Sequence, residues 1–244
     1  MKNTIIFQTP DELVQATAAR VVEIAAQSIA ARGVFSLALA GGSTPRALYK
    51  LLASDAWRTR IDWQNTHVCF GDERAVVPDS DDSNYRMARE SLLNHIDVPP
   101  QNIHHIIGEA ADLDAAARDY EAQLRALPMP LDLVPLDLVL LGMGDDGHTA
   151  SLFPGTPALR ETQRWCVATD VAPLEPHVRR LTLTYPVLNA ARHIFVIVTG
   201  KGKMQRAQAV LQGPRDIEKM PVQGIEPIDG ELVRMLDADA AALL

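Results

Sequence analysis

Two hydrophobic periods alternate along the chain. Short apolar runs such as 35–40 and 136–141 have the length and composition of buried strands, although Asp137 interrupts the second run. Between such runs, apolar residues recur every three to four positions, as they do on the buried side of an amphipathic helix. Strands that alternate with helices form a mostly parallel sheet covered on both faces. The pattern therefore predicts an α/β fold with a doubly wound sheet.

Capping and turn residues divide this pattern into elements. Residues 9–12, Thr-Pro-Asp-Glu, are typical of a capping box with proline at the first helical position, and Gly33 ends the helix. Ser43, Thr44 and Pro45 are expected to cap the next helix. We expect strands at 5–7, 35–40, 68–70, 103–107, 136–141, 166–168, 181–184 and 193–199, and helices at 14–29, 43–52, 84–93, 112–127, 201–211 and 230–242. Since no linker, repeat or low-complexity segment divides the chain, residues 1–244 are predicted to form a single domain.

Four loops with unusual chemistry follow predicted strands. They are Gly41–Thr44, Gly71–Arg74, Gly142–His148 and Gly200–Lys203. In a parallel sheet the carboxyl ends of the strands meet at one edge, where ligands bind. We therefore expect the four loops to converge on one site.

Charge and cysteine content limit the classes of partner. The 244 residues carry a formal net charge of −8, which argues against nucleic acid or an anionic membrane as the main partner. A local basic cluster can still bind an anionic small molecule. Cys69 and Cys166 lie in apolar runs, so reduced buried thiols are expected rather than a disulfide framework. Because neither a membrane-length apolar run nor a signal-peptide core is found, we expect a soluble, cytoplasmic protein.

The loop 142–154 carries the densest chemistry, with the sequence Gly-Met-Gly-Asp-Asp-Gly-His-Thr-Ala-Ser-Leu-Phe-Pro. Its glycines allow a sharp turn and a close approach to a ligand. Asp146 lies two residues before His148, near enough to hold the imidazole tautomer and to support the ring as a base. Residues 149–153 are expected to open a helix. A metal site is not expected, because no second histidine stands at ligand spacing in this region.

A dinucleotide site is an alternative for the same loop. Gly142, Gly144 and Gly147 spell G-x-G-x-x-G after a predicted strand. Asp145 and Asp146 would, however, repel a pyrophosphate at that turn. The acidic residue expected about 20 residues further on, at the end of a second strand, is missing, and the motif lies past the middle of the chain.

Two further loops are candidates for anion binding. In 40–45, free N–H groups at a helix start and the hydroxyls of Ser43 and Thr44 can form an anion cradle, although an ordinary capped glycine turn has the same residues. Lys201 and Lys203 stand at another helix start, where a cation opposes the helix dipole. That placement indicates a bound anion, unless both lysines are simply solvated.

Charged residues beside two other strands leave alternatives open. Asp72, Glu73 and Arg74 form either an ion-pair cluster that fixes the loop or an arginine that faces a ligand and is oriented by the carboxylates. Arg179 and Arg180 precede an apolar strand and could be exposed charges at its start.

Five motifs follow one another along the chain. They are Leu39-Ala-Gly-Gly-Ser-Thr-Pro45, Gly71-Asp-Glu-Arg74 with Asp82-Ser-Asn-Tyr85, Gly142 to Pro154, Arg180-Leu-Thr-Leu-Thr184 with Pro186-Val-Leu-Asn189, and Thr199-Gly-Lys-Gly-Lys203. Together they resemble the glucosamine-6-phosphate isomerase/6-phosphogluconolactonase superfamily over nearly the whole chain. The resemblance implies a Rossmann-like fold of the sugar-phosphate isomerase type.

The resemblance also implies a reaction and a set of site residues. The reaction is hydrolysis of 6-phospho-D-glucono-1,5-lactone to 6-phospho-D-gluconate, in the oxidative pentose phosphate pathway, without metal or organic cofactor. His148 would be the general base, oriented by Asp146, and Arg74 or loop N–H groups would stabilise the oxyanion. Substrate and phosphate contacts are expected from Gly42, Ser43, Thr44, Asp72, Gly144, Arg180 and Lys203. The partner is then a small phosphosugar lactone, and a monomer or small homo-oligomer is expected.

Two other kinds of protein with a related fold match these motifs less well. The amino-sugar phosphate deaminase branch carries a glutamate in a run ending Phe-Asn-Glu-Pro, where this chain has Ser151-Leu-Phe-Pro154, and it has Met-Asp-Glu-Tyr where this chain has Gly71–Arg74. Sugar-phosphate effector domains of bacterial regulators share the fold but normally carry a DNA-binding helix-turn-helix. We expect none here, because the acidic chain opens directly on its first strand.

Overall fold

Two β-sheets organise the chain over residues 3–128 and 136–244, which the computed structural model describes. The strands are β1 (Thr4–Phe7), β2 (Phe35–Leu39), β3 (Thr66–Phe70), β4 (Asp72–Arg74), β5 (Leu138–Leu141), β6 (Cys166–Ala168), β7 (Arg180–Leu183), β8 (His193–Val198) and β9 (Glu231–Asp237). Six of them form a sheet in the order β1-β9-β8-β5-β2-β3, and every neighbouring pair is parallel. The predicted α/β class with a doubly wound, mostly parallel sheet is confirmed.

The second sheet is small and antiparallel, in the order β4-β7-β6. The sequence predicts a loop at 71–74, and this prediction is wrong, because Asp72–Arg74 pairs with β7. In the register of that pair, Asp72 lies opposite Thr182 and Arg74 lies opposite Arg180. The sheet therefore holds two charged motifs from distant parts of the sequence side by side.

The helices are α1 (Pro10–Arg32), α2 (Ser43–Leu52), α3 (Asn84–Ser91), α4 (Leu113–Arg125), α5 (Tyr185–Leu188) and α6 (Met204–Gln212). The predicted start of α1 is confirmed: the Thr9 hydroxyl accepts the amide of Glu12 at 3.1 Å, and Gly33 ends the helix with a φ of 80°. The predicted cap of α2 is wrong. Its N-cap is Gly42, at a φ of 106°, and no side chain accepts a hydrogen bond there. The first N–H groups of α2 thus lack a capping acceptor.

Three predicted elements differ from the structure. The predicted helix at 230–242 is wrong: Glu231–Asp237 form strand β9, because pairing with β8 on one side and β1 on the other outweighs the helix propensity of Glu, Leu, Arg and Met. Residues 103–107 form no strand and contribute only one bridge, from Ile103 to Val68. Residues 149–153 form a bridged turn instead of a helix.

The core lies between the six-stranded sheet and its helices. Strands β2 and β5 are buried along their whole length. Cys69 and Cys166 are buried free thiols, as predicted, and burial raises the pKa of both far above its ordinary value. None of the helices in the described part of the chain is long and apolar enough to cross a membrane. The single domain over 1–244 stays a prediction.

The start of β9 makes a sensitive test of the fold. A Cβ at Gly230 would lie 2.1 Å from the Ala191 carbonyl oxygen, which belongs to rigid backbone. Gly230→Ala should therefore lower the free energy of unfolding by about 1–3 kcal/mol, as overpacking does elsewhere. Denaturant unfolding measures the change. Gly202→Ala is the matched control, since nothing lies within 4 Å of its Cβ. Equal stability of the two variants would contradict the described backbone contact.

Candidate active site

A cavity of about 240 Å³ lies at the carboxyl ends of β2, β5 and β8, where the predicted loops converge. It is lined by Ala40, Gly41, Gly42, Asp72, Arg74, Asn84, Gly142, Met143, Gly144, His148, Thr149, Ala150, Arg180 and Lys203. A larger cavity, of about 690 Å³, lies at the amino ends of β8 and β9 and contains none of the predicted site residues. In parallel sheets ligands bind at the carboxyl ends, so the smaller cavity is the candidate active site.

Most of the predicted site residues line this cavity, but three do not. Asp146, Ser43 and Thr44 are missing from the lining. Asp146 contacts the cavity through His148. The Thr44 hydroxyl is hydrogen-bonded to the Thr199 hydroxyl at 2.6 Å, and the Ser43 side chain is exposed. Of the predicted residues at this helix start, Gly42 alone lines the cavity.

The His148 ring is held by Asp146. The ring Nδ1 lies 2.5 Å from Asp146 Oδ1, and the same oxygen accepts the His148 amide at 3.0 Å. Burial alone would raise the pKa of Asp146, but the hydrogen bonds from His148 outweigh burial and lower it. An ionised carboxylate only accepts, so we assign the Nδ1 proton to the histidine. In the neutral ring Nε2 is then the unprotonated nitrogen.

Glycine at 144 gives the ring its space. A Cβ there would lie 2.0 Å from His148 Nδ1 and 2.7 Å from Asp146 Oδ1. The Phe153 ring packs against the imidazole with 4.6 Å between centroids. At the same turn Ala150 has a φ of 48°, an uncommon conformation for a residue with a Cβ. Gly144 is therefore required for the packing of this turn, because the imidazole occupies the space that a Cβ would fill.

Two arginines face each other across β4 and β7. Arg74 and Arg180 are direct cross-strand partners, an arrangement in which like charges destabilise a sheet. Burial, and next the charge of Arg74, lower the pKa of Arg180. The Nε atoms of both arginines are buried and lack a hydrogen-bond partner in the described structure. A bound anion would offset both the repulsion and the unpaired donors.

The strand alternation separates Arg180 from its neighbour. Arg180 is buried and lines the cavity, whereas Arg179 is exposed, and its Nε donates to the Thr169 carbonyl at 2.9 Å. The interpretation as exposed charges at the strand start therefore holds for Arg179 alone.

The two carboxylates of β4 point to opposite sides. Asp72 shares the cavity side with Arg74, and its Oδ2 accepts the Ser151 hydroxyl at 2.6 Å. Glu73 is buried on the other side and accepts the amides of Asn84 and Tyr85 at the start of α3. Burial raises the pKa of Glu73 despite these hydrogen bonds. Arg74 lines the cavity, and its guanidinium donates to the Asp82 backbone carbonyl at 2.7 Å instead of forming an ion pair with either carboxylate in the described structure. The interpretation as an ion-pair cluster is therefore wrong, and the role of Arg74 toward a ligand stays a prediction.

Sequence reasoning did not single out three residues that support the site. Asn84 lines the cavity and donates to Asp72 Oδ1 at 3.2 Å. A Cβ at Gly41 would lie 2.1 Å from Asn84 Oδ1, so this glycine allows a close contact. Ser151 is fully buried beneath the site. Their signal in the sequence is their position inside motifs of the resemblance, at 82–85, 39–45 and 142–154.

Lys203 is the third cationic side chain that lines the cavity. It ends a 3₁₀ turn, Lys201–Lys203, that precedes α6, and its Nζ lies 2.5 Å from Asp145 Oδ1. Lys201 is exposed and outside the lining. Over residues 3–128 and 136–244, no group of three or more His, Cys, Asp or Glu side chains could hold a metal ion.

Known proteins are similar to this chain over nearly its whole length. The family described as glucosamine-6-phosphate isomerases/6-phosphogluconolactonase matches residues 8–234. A 6-phosphogluconolactonase of Mycobacterium tuberculosis is 40% identical over 244 residues, covering 98% of this chain and 97% of the relative. One from Synechocystis is 40% identical over 216 residues, covering 88% of this chain and 86% of the relative. The solved structure of a 6-phosphogluconolactonase from Trypanosoma cruzi has a TM-score of 0.85 and 30% identity, covering 100% of this chain and 97% of that one.

The tautomer of His148 can be measured directly. In the neutral ring we expect the proton on Nδ1, because Asp146 accepts it. Asp146→Asn should shift the proton to Nε2, since the asparagine amide can donate to Nδ1. Long-range ¹H–¹⁵N spectra of the ring distinguish the two forms, with His148→Gln to assign the signal. His95, which is exposed and remote, should be unchanged. An Nε2–H tautomer in the unmodified protein contradicts the assignment.

Proposed function

The chain belongs to the glucosamine-6-phosphate isomerase/6-phosphogluconolactonase family, and we propose that it hydrolyses 6-phospho-D-glucono-1,5-lactone to 6-phospho-D-gluconate, a step of the oxidative pentose phosphate pathway. Curated relatives with this activity in their names match the chain over nearly its full length. The observation that carries the proposal is the His148–Asp146 pair beside a cavity lined by Arg74, Arg180 and Lys203. A base and cations around one cavity suit an ester that carries a phosphate.

His148 acts as the general base in this proposal. Its Nε2 takes a proton from water while the water oxygen bonds to the lactone carbonyl carbon. Asp146 keeps the Nδ1 proton in place and stabilises the imidazolium that forms. The bond between the carbonyl carbon and the ring oxygen then breaks, and His148 returns the proton to that oxygen. The new carboxylic acid loses its proton to solvent.

The cations bind two negatively charged parts of the reacting substrate, the oxyanion and the phosphate. Arg74 stabilises the oxyanion that develops on the carbonyl oxygen. Arg180, Lys203 and the N–H groups at Gly42, Ser43 and Thr44 hold the phosphate, since charged donors and a helix N-terminus both favour an anion. In the same proposal, Asp72 forms part of the cavity wall, and Gly144 leaves space for the imidazole of His148.

The deciding experiment compares two substrates. Freshly generated phospholactone should be hydrolysed, and glucosamine 6-phosphate should release no ammonia. Ammonia release without lactone hydrolysis would select the deaminase function instead. Tight sugar-phosphate binding with neither reaction would select a non-catalytic effector domain.

The role of His148 predicts a large loss of rate. His148→Ala should lower kcat by about 10²- to 10⁴-fold, the usual effect of losing a general base. The circular dichroism spectrum should stay unchanged. His95→Ala is the control, since this exposed histidine does not line the candidate active site and its ring contacts the Glu90 carbonyl. Full turnover by a folded His148→Ala protein removes the residue from the mechanism.

The role of Lys203 predicts an effect that depends on the phosphate. Lys203→Ala should raise KM for the phospholactone, because binding loses about 1.5–3 kcal/mol of free energy, the range for a lost charged hydrogen bond. Hydrolysis of unphosphorylated gluconolactone should hardly change. Lys201→Ala, two residues earlier and outside the cavity, is the matched control. An equal loss on both lactones would place Lys203 at the carbonyl or in the fold.

A further inference from the structure

Lys203 differs from the other cations of the cavity. Arg74 and Arg180 have no carboxylate oxygen within 4.0 Å among the described ion pairs, whereas Lys203 Nζ lies 2.5 Å from Asp145 Oδ1. The proposed phosphate-binding ammonium is therefore already bound to an anion of the chain itself.

Asp145 lies outside the cavity and can leave the lysine easily. Its side chain is 79% exposed and does not line the cavity. Its backbone is held, because Arg206 Nε donates to the Asp145 carbonyl oxygen at 2.7 Å. Rotation of the carboxylate into water therefore disturbs no backbone contact, and exposed ion pairs of this kind are weak.

Lys203 does not depend on Asp145 for its position. Only 26% of its side chain is exposed, so its stem is largely packed. Its amide donates to the Gly200 carbonyl at 3.0 Å within the 3₁₀ turn. Because packing and backbone hold the lysine, removing the carboxylate should free the ammonium without displacing it.

We propose that Asp145 competes with the substrate phosphate for Lys203 and so weakens the binding of every phosphorylated ligand of this site. The inference rests on the proposed function. A phosphate oxygen and the Asp145 carboxylate are alternative acceptors for one ammonium, so the ligand must displace Asp145 from Lys203 before that hydrogen bond can form. Product keeps the phosphate of the substrate, so the competition also favours product release.

The competition should change KM and leave kcat unchanged, because it weakens the binding of substrate and transition state equally. An interaction that weakens substrate and transition state equally raises KM and leaves kcat unchanged. Asp145→Asn keeps the size of the side chain and removes its charge. It should lower KM for the phospholactone about 2- to 5-fold, the effect expected from an exposed ion pair, and leave unphosphorylated gluconolactone unaffected.

Phosphate binding provides the decisive measurement. Calorimetric titration with inorganic phosphate should show Asp145→Asn binding about 2- to 5-fold more tightly than the unmodified protein. Asp55→Asn is the matched control, since it removes another exposed, ion-paired carboxylate, one that is 3.0 Å from Arg58 and remote from the cavity. In a Lys203→Ala background, Asp145→Asn should have no effect.

Three results would overturn the inference. Weaker phosphate binding by Asp145→Asn would mean that the carboxylate positions the ammonium. Unchanged binding would mean that the pair is irrelevant to the ligand. A gain that persists without Lys203 would be a general charge effect. Failure of the proposed function is distinct: a protein that hydrolyses no lactone, yet binds phosphate more tightly as Asp145→Asn, refutes the function and keeps the competition.

Discussion

The hydrogen bonds of Asp72 hold the candidate site together. One carboxylate oxygen accepts a hydrogen bond from the hydroxyl of Ser151, in the histidine turn. The other accepts one from the side-chain amide of Asn84, at the start of α3. Asn84 in turn packs so tightly against Gly41 that no side chain fits there. A single buried carboxylate therefore connects β4, α3, the turn after β5 and the turn after β2. Such a network is favourable only when every member is satisfied, so its parts depend on one another.

The site concentrates positive charge in an acidic protein. The chain has a formal net charge of −8, yet three cationic side chains line a cavity of about 240 Å³. Two of them, Arg74 and Arg180, stand directly opposite each other on paired strands. Because like charges in this position destabilise a sheet, the arrangement is costly for the fold. A ligand that supplies the negative counter-charge would offset this cost.

The features of the fold that depend on local sequence patterns could be predicted from the sequence. The parallel sheet, the capping of α1 and the convergence of the four loops follow from hydrophobic period, cap residues and the direction of parallel strands. Strand β9 was missed because good helix formers became a strand through pairing with two neighbours. Strand β4 was missed because three residues are too few to show a period. The contact between Lys203 and Asp145 joins residues 58 positions apart, and no local pattern contains it. The roles of the site residues remain proposals.

The two native cysteines give the protein a practical property. Both thiols are buried and hold their protons far above the usual pH range, so neither offers a thiolate to reagents in solution. A cysteine introduced on the surface would be the reactive thiol by a wide margin. Maleimide dyes, spin labels or attachment to a support can thus be directed to one chosen position without first replacing a native residue.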